Sequence, residues 1–319
     1  MILQALLLIV GFALLVKGAD WLVKGASSLA KRYNVSDLAI GLTIVAFGTS
    51  APEMVVNIVA SFQNHQDIVF GNIIGSNNFN LFVILGIAGL ITPLIVQSSS
   101  VWKEIPISFI AIVVLFFLAN DFIIGDKQTL TRIDGIVLLV LFTLFLIYVY
   151  WQLKSTEIQQ KVEGISYSLL KITGLIVVGL IGLVVGGNLI VSSSVKVATA
   201  LGISEKIISL TIVAIGTSLP ELATSVVAAM RKNIDIAVGN IIGSNIFNIF
   251  LILGVSSIVR PLEYNRAFNT DLYLLAIGTF LLFLAMFTGR KKILDRWESI
   301  VLLSIYIGYT AYLVSKEVV

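Results

Sequence analysis

At 319 residues, 58% hydrophobic and 12% charged, with a mean hydropathy of +1.02, the chain is too poor in charge for a soluble domain, where about 25% of residues are charged. A net charge of +3 and a pI near 9.0 give nucleic-acid binding no support. The lack of cysteine excludes disulfides, thiolate metal sites and a thiol nucleophile.

Taken in chain order, apolar runs long enough to cross a bilayer core of ~30 Å cover residues 2–30, 38–62, 68–92, 104–119, 130–153, 168–198, 206–230, 236–259, 270–288 and 297–315. Ten spans leave no segment for a soluble domain. The first run lacks the basic leader and small-residue cleavage site of a signal peptide and carries Asp20 and Lys24, so it is expected in the mature protein. One polar connector, 154–164, separates the fifth run from the sixth and is too short to fold alone. The expected division is a repeat over 1–153, a connector over 154–166 and a second repeat over 167–319.

Residues 18–94 recur without a gap at 186–262, and 29 of the 53 positions from Leu42 to Leu94 are identical at an offset of 168. LTIVAFGTSAPE (42–53) and GNIIGSNNFN (71–80) return as LTIVAIGTSLPE (210–221) and GNIIGSNIFN (239–248). The offset spans five crossings, an odd number, so the copies are expected in opposite orientations. With the N-terminus outside, twelve Lys and Arg fall on the inner side (31, 32, 103, 154, 161, 171, 231, 232, 290, 291, 292, 296) and seven on the outer (127, 132, 196, 206, 260, 266, 316). Positive loops stay inside, which favours both termini outside. The expected fold is an all-α integral membrane protein of ten transmembrane helices in two inverted five-helix repeats. Ser36, Ser204, Asp67 and Asp235 precede apolar runs and read as helix N-caps.

The chemistry sits in the recurring motifs. Pro52 has no N–H and clashes with the carbonyl four residues back, so a kink at 48–52 is expected to expose backbone oxygens around Ala46–Thr49. Glu53 follows directly, with Thr49 one turn before it on the same face; Pro220, Gly216, Thr217 and Glu221 repeat the arrangement. A carboxylate at membrane centre costs at least ~2.5 kcal/mol and marks ion or proton pathways. Ser76 and Asn80, like Ser244 and Asn248, are spaced to present hydroxyl and amide on one face, while Gly71/Gly75 and Gly239/Gly243 suit close helix packing. Asn72, Asn77, Asn240 and Asn245 read equally as site residues or as interhelical hydrogen-bonding groups. Together these donors are all hard oxygens, which suits Ca²⁺, several Na⁺ or protons on the glutamates. Lys17, Asp20 and Lys24 are expected to pair or snorkel, His65 to be solvated, and Trp102, Trp151 and Trp297 to anchor span ends.

The paired GTS-x-PE and GN-x-x-GSN motifs resemble the repeats of the calcium/cation antiporter superfamily, closest to prokaryotic sodium/calcium exchangers, over essentially the whole chain. The resemblance implies four ion sites near the bilayer centre and exchange of about three Na⁺ per Ca²⁺ by alternating access. It also implies a prokaryotic plasma membrane, no cofactor, and no partner beyond Ca²⁺, Na⁺ and lipid. By position, Glu53 and Glu221 would ligate both ions and the carbonyls of Thr49 and Thr217 would complete the Ca²⁺ site. Ala46, Ser76, Ala214 and Ser244 would build flanking Na⁺ sites, Ser50 and Ser218 would add hydroxyls, and Asn80 and Asn248 would line the centre. Many relatives carry aspartate at one or both of the last two positions and potassium-dependent exchangers carry acids there, so amides at both argue against K⁺ co-transport. The alternative is H⁺/Ca²⁺ antiport on the same two glutamates. A serine hydrolase would need a base at membrane depth, and the only histidine is His65 in a turn. A passive channel remains the third class.

Overall fold

The computed structural model describes residues 2–120, 128–155, 167–200 and 214–318. The connector over 156–166, the cap expected at Ser204 and the start of the span expected at 206 lie outside the described residues. In chain order the helices are α1 (Ile2–Tyr33), α2 (Asp37–Thr49), α3 (Ala51–Phe62), α4 (Gln66–Ile91), α5 (Ser100–Ala119) and α6 (Arg132–Ser155). They continue as α7 (Leu169–Ala200), the turn Ala214–Gly216, α8 (Leu219–Met230), α9 (Ile234–Val259), α10 (Arg266–Ala285) and α11 (Arg296–Val318). Seven are long and apolar enough to cross a membrane, or eight when α2 and α3, bent by 47°, count as one span. The twelve-residue α8 stands outside that set, as does α11.

Among the described residues, four two-residue strands tie loops together: β1 (Leu94–Ile95), β2 (Thr129–Leu130), β3 (Leu262–Glu263) and β4 (Ile293–Leu294). β1 pairs antiparallel with β4, and β2 with β3. Near the first pair, Lys292 donates to Ser98 and Gln97 to Asp235, while Asn233 donates to Asp37. A pocket lined by Asn64–Ile68 and Glu263–Asn265 lies at the second.

The turns after α3 and α8 are built alike. His65 N donates to Ala60 O and Asn233 N to Ala228 O, both at 2.9 Å. Each turn puts its middle residue in the left-handed region, Asn64 at φ 63° and Lys232 at φ 60°. Ser36 caps α2 as expected, accepting from Ala39 N. Asp67 and Asp235 are not caps. Their helices begin one residue earlier, which puts each carboxylate in the first turn against the positive helix end, and Asn233 accepts from Ile236 N instead.

The tightest contact is between the long helices α1 and α7. Glycines 11, 18 and 25 recur every seven residues on α1; glycines 179, 182 and 186 face the first two, and Gly25 meets Ile172 and Ile176. A Cβ at Gly18 would lie 2.7 Å from Gly179 O and 2.8 Å from Leu183 N, so the two backbones touch directly. Asp20 of α1 binds Lys24 at 2.9 Å and also pairs with Arg231 beyond α8. A side chain at Gly18 would have to push backbone aside. Gly18→Ala is therefore expected to destabilise the protein by about 1–3 kcal/mol, read as a lowered thermal midpoint in detergent. Gly174→Ala is the control, because nothing lies within 4 Å of its Cβ position among the described residues.

Candidate ion-binding site

The α2–α3 break falls at Ser50, with Pro52 in the first turn of α3, and Ser218 holds the same place before α8. The kink is where the proline predicts it. The carbonyl of Ala46 is nevertheless engaged, accepting from Ser50 N at 3.0 Å and lying 3.3 Å from Thr49 Oγ1. Both breaks lie beside the middle of α4 and α9. Glu53 and Glu221 are each 1% exposed, and Thr49, Ser50, Ser76, Asn80, Ser218, Ser244 and Asn248 are also buried.

Each break reaches into the opposite half. Ser50 Oγ donates to Glu221 Oε1 at 2.8 Å and lies 3.0 Å from Ser244 Oγ. Ser218 Oγ donates to Glu53 Oε1 at 3.3 Å and lies 3.0 Å from Ser76 Oγ. A hydroxyl has one proton and a carboxylate only accepts, so Ser244 and Ser76 must give their own protons to the central serines. Thr49 donates to Asn240 Oδ1 at 3.0 Å, and Thr217 to Asn72 Oδ1 at 3.1 Å. Asn240 Nδ2 donates in turn to Ser225 at 3.0 Å, and Asn72 Nδ2 to Asn57 at 3.4 Å. Asn80 Nδ2 donates to Asn245 Oδ1 at 3.0 Å, and Asn248 Nδ2 to Asn77 Oδ1 at 2.9 Å.

Four oxygens are left over. Glu53 Oε2, Glu221 Oε2, Asn80 Oδ1 and Asn248 Oδ1 are buried with no hydrogen-bond donor. They form two pairs at the offset of 168, and all four are acceptors. No three carboxylate, histidine or cysteine side chains cluster among the described residues, so the formal charge of this site comes from the two glutamates. A cation offers such oxygens what protein donors do not.

The sequence matches the sodium/calcium exchanger protein family over residues 3–151 and 171–315. The chain belongs to the sodium/calcium exchanger family. It is thereby a transporter and not an enzyme. It is 37% identical to the putative antiporter CaxA of Alkalimonas amylolytica, covering 99% of this chain and 100% of that one. It is 31% identical to the sodium/calcium exchanger MaX1 of Methanosarcina acetivorans, covering 97% of each. Its structure superposes on that of the sodium-calcium exchanger NCX_Mj soaked with Na⁺ and Ca²⁺, with a TM-score of 0.82, 35% identity and 98% of each chain covered.

Of the residues that sequence reasoning singled out in this exchanger, Glu221, Ser50, Ser244 and Thr49 share one hydrogen-bonded group, Glu53, Ser218 and Ser76 a second, Thr217 with Asn72 a third, and Asn80 and Asn248 with Asn77 and Asn245 a fourth. Ala46 lies at the break with its side chain buried, and the backbone of Ala214 opens the turn before Thr217. Asn57 and Ser225 were missed. Both lie four residues after a glutamate on the same helix face, a spacing that could have found them. The glycine pairs divide: a Cβ at Gly243 would lie 2.9 Å from Leu42 O, whereas nothing described lies within 4 Å of one at Gly75.

The cross-half serine contacts can be tested directly, since the chain has no native cysteine. Ser50→Cys with Ser244→Cys, and Ser76→Cys with Ser218→Cys, are expected to form disulfides on mild oxidation. The readout is loss of two maleimide-reactive thiols in the denatured protein, restored by reductant. Two thiols still free after oxidation would contradict the contacts.

Proposed function

We propose that the chain is a secondary antiporter exchanging about three Na⁺ for one Ca²⁺ across a membrane by alternating access. The observation that carries this is the set of four donorless oxygens around two buried glutamates. Glu53 and Glu221 balance one Ca²⁺. The amide oxygens of Asn80 and Asn248, the carbonyls of Thr49 and Thr217, and the hydroxyls of Ser50, Ser76, Ser218 and Ser244 complete an irregular oxygen shell of the kind Ca²⁺ accepts. Divided among Na⁺ ions, the same shell extends to the carbonyls of Ala46 and Ala214. Without the third and fourth acids of K⁺-coupled cages, exchange does not require K⁺.

The site belongs to a chain of ten spans in two inverted repeats, 1–153 and 167–319, joined by the connector 154–166. The doubled contacts at a constant offset support this reading, as does the pairing of loops into two separate groups. The groups agree with the charge count: residues 31–37, 94–103, 231–235 and 290–296 face the cytoplasm of a prokaryotic cell, and both termini face outward. Lipid is the only other partner the reading needs. A maleimide label is thus expected to reach a cysteine at 65 from outside and one at 232 from inside. Labelling of both from one face would contradict the inversion.

Function is tested in proteoliposomes. A Na⁺ gradient is expected to drive ⁴⁵Ca uptake at fixed pH, and Glu53→Gln or Glu221→Gln to abolish it in a protein that still folds, because a charge facing Ca²⁺ in a dry site is worth several kcal/mol. Three-for-one exchange moves one net charge, worth ~2.3 kcal/mol per 100 mV, so clamped voltage should shift the Ca²⁺ ratio about fifty-fold. Uptake driven by a pH gradient with no Na⁺ requirement would establish the H⁺/Ca²⁺ alternative.

A further inference from the structure

We infer that Asn77 and Asn245 are positioning residues, a clamp on the pseudo-two-fold that aims the amide oxygens of Asn80 and Asn248 into the cation cage. The inference rests on the reading of those oxygens as ligands and adds what fixes them. Asn77 and Asn245 are 0% and 4% exposed, at the contact between α4 and α9. Asn77 Nδ2 donates to the backbone carbonyl of Asn245 at 3.2 Å, and Asn245 Nδ2 to that of Asn77 at 3.3 Å.

A backbone carbonyl can only accept, so these two bonds fix which end of each clamp amide is nitrogen. The Oδ1 atoms of both clamp residues are then committed as acceptors. Each takes its proton from the opposite half: Asn245 Oδ1 from Asn80 Nδ2, and Asn77 Oδ1 from Asn248 Nδ2. That uses the nitrogens of Asn80 and Asn248 and leaves their oxygens donorless. Without the clamp, either amide could rotate by half a turn and present its N–H₂ group to a cation. The clamp also explains why amides occupy positions 80 and 248. An ionised acid there would set one acceptor oxygen against another, whereas an amide supplies the donor and leaves the charge of the cage on the two glutamates.

The wiring crosses the halves in a way that sequence proximity does not suggest. Asn245 precedes Asn248 by three residues on α9 but holds Asn80 on α4. Double-mutant cycles separate a positioning role from general structural support. In proteoliposomes, Asn80→Ala and Asn245→Ala are each expected to raise the Ca²⁺ Michaelis constant about tenfold. Combined, they should stay within about threefold of either alone, because the second change removes a contact already lost. Asn245→Ala with Asn248→Ala should multiply to about a hundredfold. If Asn245→Ala does not fold, as judged by its thermal midpoint, the mate cycle of Asn77→Ala with Asn248→Ala, against Asn77→Ala with Asn80→Ala, carries the same expectation. Multiplying effects within both wired pairs, or an unchanged constant in Asn80→Ala, would overturn the inference. Full transport by Glu53→Gln would overturn the reading of the site on which it stands.

Discussion

Two carboxylates enclosed in the middle of an apolar bundle are the constraint on which the rest of this structure turns. Ionised groups in such surroundings cost several kcal/mol each unless matched by donors or cations. The protein matches only half of each one. Glu53 Oε1 and Glu221 Oε1 receive a serine proton, while both Oε2 atoms receive none. Because each serine comes from the other repeat, neither half contains a complete site. The halves must face each other with their breaks aligned, which is what the glycines of α9 allow by admitting the α2 backbone at Gly239 and Gly243.

Local periodicity made much of this legible. The kink at Pro52, the glutamates directly after it, and the Ser76/Asn80 and Ser244/Asn248 faces all follow from spacings within one turn of helix. Partner identity was not legible. Thr49 bonds Asn240 and Asn80 bonds Asn245 because two copies cross, and no window of sequence contains both members of either pair. The π-helical stretches that carry Asn80 and Asn248, at Phe79–Ile84 and Phe247–Leu253, also lack a composition that announces them. The glycine heptad of α1 is different: the spacing of Gly11, Gly18 and Gly25 lies in plain view in the sequence, yet it names no partner helix.

The family match and the residue geometry support each other through different evidence. A match over nearly the whole chain says what sort of machine this is, but leaves open which atoms bind. The donorless oxygens come from counting hydrogen bonds, independently of any relative. Four of them fall on matched residues of the repeated motifs, and others on buried polar groups elsewhere, such as Thr224 and Ser256. The doubling at an offset of 168 separates the two sets. Glu53, Asn80 and their mates are donorless twice over, whereas Thr224 and Ser256 correspond to Val56 and Ala88.

The centre keeps the two-fold and the rims break it. Asp20 pairs with Arg231, tying α1 to the turn after α8, and Asn233 of that turn donates to Ser27. The positions that match Asp20 and Arg231 in the other half are Asn188 and Gln63, which cannot form an ion pair. Around the site the inequality runs the same way: Thr49, Asn240 and Gly243 are fully buried, while Thr217 and Asn72 are half-buried and Gly75 is exposed. The bonding pattern at the centre is thus two-fold, Thr49 to Asn240 and Thr217 to Asn72, while the packing around it is not. Arg231 and Asn233 tie the turn after α8 to α1 through an ion pair and a hydrogen bond, and Gln63, at the position matching Arg231 in the turn after α3, has no charge with which to repeat the first.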